Sequence, residues 1–421
     1  MKKRALISIV LVCLALLAAI TAMYIVFRSA QGTPPPPMSE KAPAGQQKRE
    51  NTPATPQDHA EWNTYHGDNA LKGVADGPLP EKLAILWRFK AGAPVRQTPV
   101  VHDGRIFFVT ARGEVVAADF NGQRLWMQEL VTGEQKDGAP VRERIDAPVA
   151  CFTGLVLVGS SRGVLYALDA SLGGEKWRAQ IDGPILGTPN RLLNNIYVIG
   201  RAKGMLYCID SDSGRIVWRS EEIQRCDSSP SVSKDAVVFG SCAAALHVFS
   251  PDTGKLLRNI EIDEDSQVAG GVALDGDLVV SGSRSGKVLQ ADVKTGKILW
   301  TNTDSKAEVF ATPAVTSEWV VACSNDGIVF ALDRGTGTLR WRFDTKGMPS
   351  SPVIAGDKIV VAADGELYLL RLADGAKLWS LKISDDVTSP CVTQGMVLLG
   401  SEDGTVVALR PAQEQEGTVV P

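Results

Sequence analysis

ATPAVTSEWVVACSNDGIVFALDRGTGTLRW, running from Ala311 to Trp341, decides the fold. Thr312-Pro313 opens it, an alternating strand and a polar turn follow, and a second strand leads into the turn at Gly327. A third strand ends in Ala331-Leu332-Asp333, Thr336-Gly337 makes the next turn, and a last strand carries Trp341. Short apolar runs punctuated by Gly and Asp at this spacing read as four antiparallel strands, which is one propeller blade. The pattern returns with a period of about 41 residues, the signature of a ring or stack of repeats. Copies begin near Thr98, Ala147, Thr188, Ser229, Gly270, Thr312, Ser351 and Ser389.

The turn glycine recurs as Gly113, Gly163, Gly204, Gly286, Gly327, Gly365 and Gly404, where the chain reverses between two apolar strands and needs a positive φ. Six residues later most copies place an Asp, whose carboxylate braces the next turn. Trp87, Trp126, Trp177, Trp218, Trp300, Trp341 and Trp379 recur on the last strands as a structural motif, large rings able to pack on a neighbouring blade. One copy departs at three linked positions, with Ala244 for the glycine, Ser250 for the Asp and Arg258 for the Trp. Blade four has either drifted or been freed to bind something.

Two defects complement each other. The eighth copy lacks its final Trp strand, while Leu83–Ala91, holding Trp87, precedes the first copy and has no blade of its own. Pairing the two ends closes the ring and leaves no open edge. The expected fold is all-β: an eight-bladed β-propeller of four-stranded antiparallel blades over residues 61–411, closed by the N-terminal strand and preceded by one transmembrane helix.

That helix is expected in residues 1–28, a membrane anchor or signal segment. Lys2, Lys3 and Arg4 precede an apolar run from Ala5 to Phe27, and about 23 such residues suffice to cross a bilayer core. The charge bias leaves the N-terminus in the cytoplasm, so the expectation is a single-pass bacterial inner-membrane protein with its propeller on the periplasmic side. Residues 29–60, with the run Pro34 to Pro37, form a flexible Pro-rich linker, and 412–421 a flexible tail.

Composition excludes some functions. Forty-four basic against 48 acidic residues give a net charge of −4, and no basic run lies beyond the extreme N-terminus, so nucleic acid is not a partner. No hydrolase elbow, His-Glu-x-x-His or Cys-x-x-Cys motif is present. The four histidines, His59, His66, His102 and His247, are scattered, which gives no expectation of a metal or catalytic site.

The spacing Gly327, Ala331-Leu332-Asp333, Thr336-Gly337 and Trp341 resembles the repeat of the pyrroloquinoline-quinone-like propeller family, and Trp62-Asn63-Thr64-Tyr65-His66-Gly67-Asp68 looks like the lead-in to its first blade. The family includes quinone-dependent alcohol and sugar dehydrogenases, which are generally longer and of which many carry an adjacent Cys-Cys pair and a calcium site. No two of the seven cysteines here are adjacent. In size the chain is more similar to the family of B subunits of the outer-membrane barrel-assembly machinery. The resemblance implies a non-catalytic envelope propeller, a monomeric protein-binding scaffold acting in outer-membrane protein assembly, with no cofactor. Its alternatives are a quinone-binding or quinoprotein dehydrogenase-like domain using the quinone and calcium, or a glycan- or ligand-recognition propeller.

A partner, another envelope protein, is expected at the loops that join one blade's last strand to the next blade's first. The connection after Trp126 is long and charged, and with its neighbours it offers a candidate rim of Arg96, Gln97, Arg142, Arg144, Asp146, Asp227, Asp263, Glu264, Asp265, Glu308, Asp385 and Asp386. Cys226 and Cys242 lie symmetrically about Lys234, so a simple hairpin would place them opposite each other as a possible disulfide.

Overall fold

The computed structural model describes residues 61–263, 266–268 and 270–412. Within them are eight four-stranded antiparallel sheets, each a meander from inner to outer strand. Blade one comprises Val100–His102, Arg105–Val109, Glu114–Ala118 and Arg124–Glu129; blade four Ser231–Val232, Val237–Gly240, Ala245–Phe249 and Leu256–Glu261; blade six Ala314–Val315, Trp319–Cys323, Ile328–Asp333 and Leu339–Asp344. Inner and middle strands are almost wholly buried, whereas the outer strands consist mostly of half-buried and exposed positions, as sheets stacked face to face at their inner ends require. The innermost strands touch around the ring, and that of blade eight, Cys391–Thr393, reaches that of blade one.

The ring closes as the repeat defects require. Leu83–Lys90 pairs antiparallel with Thr405–Pro411, with Trp87 opposite Ala408 and Lys90 opposite Thr405. The register slips between Ile85 and Trp87, and blade six slips at the same point of its own outer pairing, between Ala331 and Leu332. The closing strand is therefore built to the blade pattern although it lies at the other end of the domain. The membrane helix and linker expected in 1–28 and 29–60, and all of the tail expected in 412–421 except Ala412, lie outside the described residues.

Tryptophans of the outer strands hold neighbouring blades together. Trp87 lies against the turn at Gly122 in blade one, Trp126 against Gly173, Trp177 against Gly214, Trp300 against Gly337 and Trp341 against Gly375, so close that a Cβ on any of these glycines would overlap the ring. The indole N–H then donates to a carbonyl of the same turn: Trp87 to Phe120 at 2.8 Å, Trp177 to Ser211 at 2.8 Å, Trp341 to Leu372 at 2.8 Å. Blade order is thus encoded twice, by a large ring and by the bare glycine that receives it.

The lead-in does more than precede blade one. Trp62 exchanges backbone hydrogen bonds with Val101 in blade one, and Asn63, Asn69, Ala70, Lys72 and Gly73 accept backbone N–H groups from Cys151, Val232, Leu274, Val315 and Ile354 in blades two, four, five, six and seven. Asn190 of blade three joins through its side-chain amide, 2.7 Å from the Asn69 carbonyl. The segment laces the inner strands together. From it the Tyr65 hydroxyl reaches Thr312, and burial, opposed by its hydroxyl partners Thr312 and Ser229, pushes its pKa up to about 12. Blade five opens with Gly270-Gly271 where its neighbours carry Ser/Thr-Pro, because a Cβ at Gly271 would overlap this hydroxyl.

Candidate functional site

The connections between blades and the turns between second and third strands share one face. Leu130 hydrogen-bonds to Gly113 at 2.8 Å and Ile383 to Gly365 at 2.8 Å, which brings each connection against its own blade's turn. The candidate rim lies along this face, and most of its charge is already satisfied. Arg96 clasps Glu402 through two bonds of 2.7 and 2.6 Å, and Gln97 donates to the Asp146 carbonyl at 2.8 Å. Arg144 meets Asp146 at 2.9 Å. Asp227 is held by Arg201 at 2.6 Å and Arg225 at 2.8 Å; burial works against its charge, but the two guanidiniums outweigh it and keep its pKa below the usual carboxylate range. Asp263 pairs with Lys287, and Glu308 accepts from Asn325 at 3.2 Å. Asp386 joins Arg96 and Glu402 around a hollow of about 240 Å³, while the backbone of Asp385 lies against the turn at Gly365. Glu264 and Asp265 lie outside the described residues.

The long connection after Trp126 is a hairpin rather than an irregular loop. Val131–Lys136 pairs with Ala139–Arg142, turning through Asp137 and Gly138, both at positive φ. Arg142 bridges Glu114 at 2.8 Å and Glu129 at 2.6 Å, and Glu134 reaches Arg162 of blade two at 2.8 Å. At its base Glu143 is 2 % exposed and accepts the Tyr166 hydroxyl at 2.8 Å.

The expected Cys226–Cys242 disulfide is not formed: both are free thiols. The first two strands of blade four pair only over Ser231–Val238 and Val232–Val237. Upstream of Pro230 the chain leaves the ladder, the Cys226 amide bonds to Arg201 of blade three at 3.1 Å, and its Sγ faces the Gly240 carbonyl at 3.0 Å. Strict hairpin symmetry does not survive that departure.

A concavity on this face lies at blade four. A groove of about 560 Å³ runs between the connection Glu222-Ile223-Gln224, the turn Ala243-Ala244-Ala245 and the connection Glu261-Ile262-Asp263, with His247, Leu256 and Asn259 along its length. One of its lining positions varies between the blades. Three residues after the turn position, blades two, three and seven carry Tyr166, Tyr207 and Tyr368, whose hydroxyls reach back to the preceding connection at Glu143, Asp182 and Thr345. Blade four has His247 there, and the shorter ring stays within its own sheet. Nδ1 lies 2.7 Å from Asn259 Oδ1 and Nε2 2.8 Å from Ser241 Oγ, which satisfies a neutral imidazole donating from Nδ1 and accepting at Nε2. Burial, opposed by the Asn259 bond, lowers its pKa, so the ring carries no charge near neutral pH. The groove passes over this ring, at the position where blades two, three and seven carry a tyrosine.

Blade four also breaks the tryptophan chain on both sides. Trp218 of blade three lies on Gly254, but the Pro251 carbonyl takes the Tyr197 hydroxyl at 3.1 Å and the buried Trp218 Nε1 has no partner. On the other side Arg258 stands for the tryptophan: its side chain lies on Gly296, and it donates to Val293 and Thr295 at 3.2 Å each and to Lys294. Ala244 occupies the turn at φ 54°, a left-handed conformation that costs a residue with a Cβ about 1–2 kcal/mol.

A metal or quinone site does not fit these residues. Among the described residues no group of three or more His, Cys, Asp and Glu is placed to hold a metal ion. His66 is buried and spans the Leu71 and Pro352 carbonyls at 2.8 and 3.0 Å, His102 pairs with Glu61 at 3.0 Å, and His59 lies outside the described residues. The inner strands are filled at the level of Thr312 by Tyr65.

Comparison with known proteins follows the same lines. The family model described as outer membrane protein assembly factor BamB matches residues 81–140, 111–269 and 261–416. Outer membrane protein assembly factor BamB of Xanthomonas campestris pv. campestris is 33% identical over 338 residues, 76% of this chain and 82% of that protein. Among solved structures, BamB from Moraxella catarrhalis superposes with a TM-score of 0.65 at 19% identity over 80% of this chain and 99% of that one. Quinohemoprotein alcohol dehydrogenase from Comamonas testosteroni gives a TM-score of 0.68 at 16% identity over 85% of this chain and 82% of that one; such distant likenesses speak for the fold alone. The relatives, described as outer membrane protein assembly factors, overturn the expected single-pass inner-membrane placement. A basic start and an apolar run begin an uncleaved anchor and an export signal alike, and among the described residues no helix is long and apolar enough to cross a membrane. From Leu83 to the last strand of blade eight, the repeat, its closure and its relatives agree: the chain belongs to the family of the outer membrane protein assembly factor BamB.

Proposed function

We propose that the chain is a non-catalytic, protein-binding propeller in outer-membrane protein assembly, and that the connection face, from the Val131–Arg142 hairpin to the blade-four groove, carries its recognition. The observation that supports this reading most is the contrast between a filled centre and a structured face. Tyr65 and the lead-in occupy the inner strands, whereas the face offers a braced hairpin and the groove. In this reading residues 1–28 direct export, residues 29–60 space the propeller from the membrane, and a monomeric ring over 61–411 meets another envelope protein on the periplasmic side of the outer membrane.

The test is affinity purification of the tagged full-length chain from cells after mild crosslinking. Co-purification of outer-membrane assembly proteins is the expected result. The enzymatic reading is tested by adding pyrroloquinoline quinone and calcium with an alcohol or sugar and an electron-accepting dye. Tight quinone binding with substrate-dependent dye reduction would overturn the scaffold reading.

A further inference from the structure

We infer that the blade-four groove receives a cationic side chain, an arginine or lysine presented by a partner protein. The inference rests on the protein-binding reading and gives that face a chemistry. Three carboxylates, Glu222, Glu261 and Asp263, line the groove, and among the described residues no cationic side chain does. Lys203 meets Glu222 at 2.6 Å and Lys287 meets Asp263, but both lysines stand outside the lining, and such exposed pairs exchange readily for another cation. Glu261 has no ion-pair partner among the described residues.

Between the acids the groove presents Ile223, Leu256 and Ile262. Leu256 is 38% exposed although it belongs to a blade strand. An apolar strip ending in carboxylates matches an aliphatic stem that carries a cation at its tip, since such a side chain buries its methylenes and keeps its charge at the rim. The floor adds no opposing charge, because His247 is neutral and both its nitrogens are engaged by Asn259 and Ser241. Arginine suits the site better than lysine, since its planar fork spans two carboxylates at once.

The experiment uses the full-length chain in detergent and two peptides, acetyl-Ser-Val-Arg-Val-Ser-amide and its citrulline counterpart, which keeps the shape and loses the charge. Calorimetry is expected to give saturable binding of the arginine peptide, at least tenfold weaker binding of the citrulline peptide, and loss of affinity as salt is raised. Glu261→Gln, at an exposed position, is expected to weaken the arginine peptide several-fold. His247→Tyr introduces the residue of blades two, three and seven and is expected to fill the groove and abolish binding while the chain still melts in one cooperative transition. Absence of binding, equal binding of the two peptides, or full affinity in Glu261→Gln would overturn the inference. Retention of assembly proteins by Glu261→Gln and His247→Tyr would likewise reject the groove while leaving the protein-binding reading standing. Failure of the wild-type chain to retain them would reject that reading itself.

Discussion

Blades four and six descend from one pattern and solve different problems. In blade six the turn residue is Gly327 at φ 96°, Phe330 fills the space above it, and Trp341 locks onto Gly375 of the next blade. In blade four the same places hold Ala244 at φ 54°, His247 and Arg258. Each change gives up local stability: a strained backbone, a polar ring in the core and a solvent-tolerant cation for an indole. Ala244 and His247 line the groove, and Arg258 does not. Arg258 keeps the blade order by donating to the carbonyl of Val293, the counterpart of Leu372 which receives Trp341, so the contact between blades survives where its usual residue does not.

The comparison is broken most severely by opening the ring in which both blades sit. Deleting Leu83–Ala91 removes the outer strand of blade eight and the Trp87–Gly122 contact, and is expected to abolish cooperative melting in calorimetry; an unchanged single transition would contradict closure by this strand. Next comes the contact between blades. Trp341→Ala should cost about 3–5 kcal/mol, whereas Arg258→Ala should cost about 1–2 kcal/mol because its hydrogen bonds are partly exposed; urea denaturation measures both, and equal losses would mean that Arg258 is not the lesser substitute. The turns should respond with opposite signs. Gly327→Ala is expected to destabilise by about 1–2 kcal/mol and Ala244→Gly to stabilise by about 1 kcal/mol, read as shifts of the urea midpoint.

The smallest difference is in pH. Because burial lowers the His247 pKa in the folded chain, its contribution to stability is fully present above the unfolded value of about 6.5 and is lost as pH falls through that value toward the folded pKa. Burial lowers the His66 pKa as well, so His247→Phe, which copies Phe330, should reduce the loss of stability between pH 7 and 5 without removing it. An unchanged pH dependence in that variant would show that His247 is not buried in its neutral form.

Much of this was legible because repetition amplifies it. A single Gly or Trp says little, but Gly327 and Trp341 recur at matched offsets, and the missing strand of copy eight points to Leu83–Ala91. The departures Ala244, Ser250 and Arg258 mark blade four for the same reason. What they build was not legible, since the groove depends on His247 staying within its sheet where Tyr166 reaches across to Glu143, and one sequence does not say which way a ring points. The lacing of the inner strands by Trp62 to Gly73 leaves no periodic trace, because those contacts are made by the backbone. Its mark on the sequence is Gly271, where a Cβ would overlap Tyr65. The rim was read from charge alone, which does not reveal that Arg144, Arg201 and Lys287 already pair with Asp146, Asp227 and Asp263. The cysteine pair failed because symmetry about Lys234 ignores the turn of the chain at Pro230.

The central claim, that recognition is concentrated where the repeat is broken, is tested most directly by a photo-reactive amino acid placed at Ala243 and, in a second strain, at its counterpart Asp326 in blade six. Illumination of living cells is expected to yield a crosslink to an outer-membrane assembly protein from position 243 and none from position 326. Equal crosslinking from the two positions, or crosslinking from 326 alone, would contradict it.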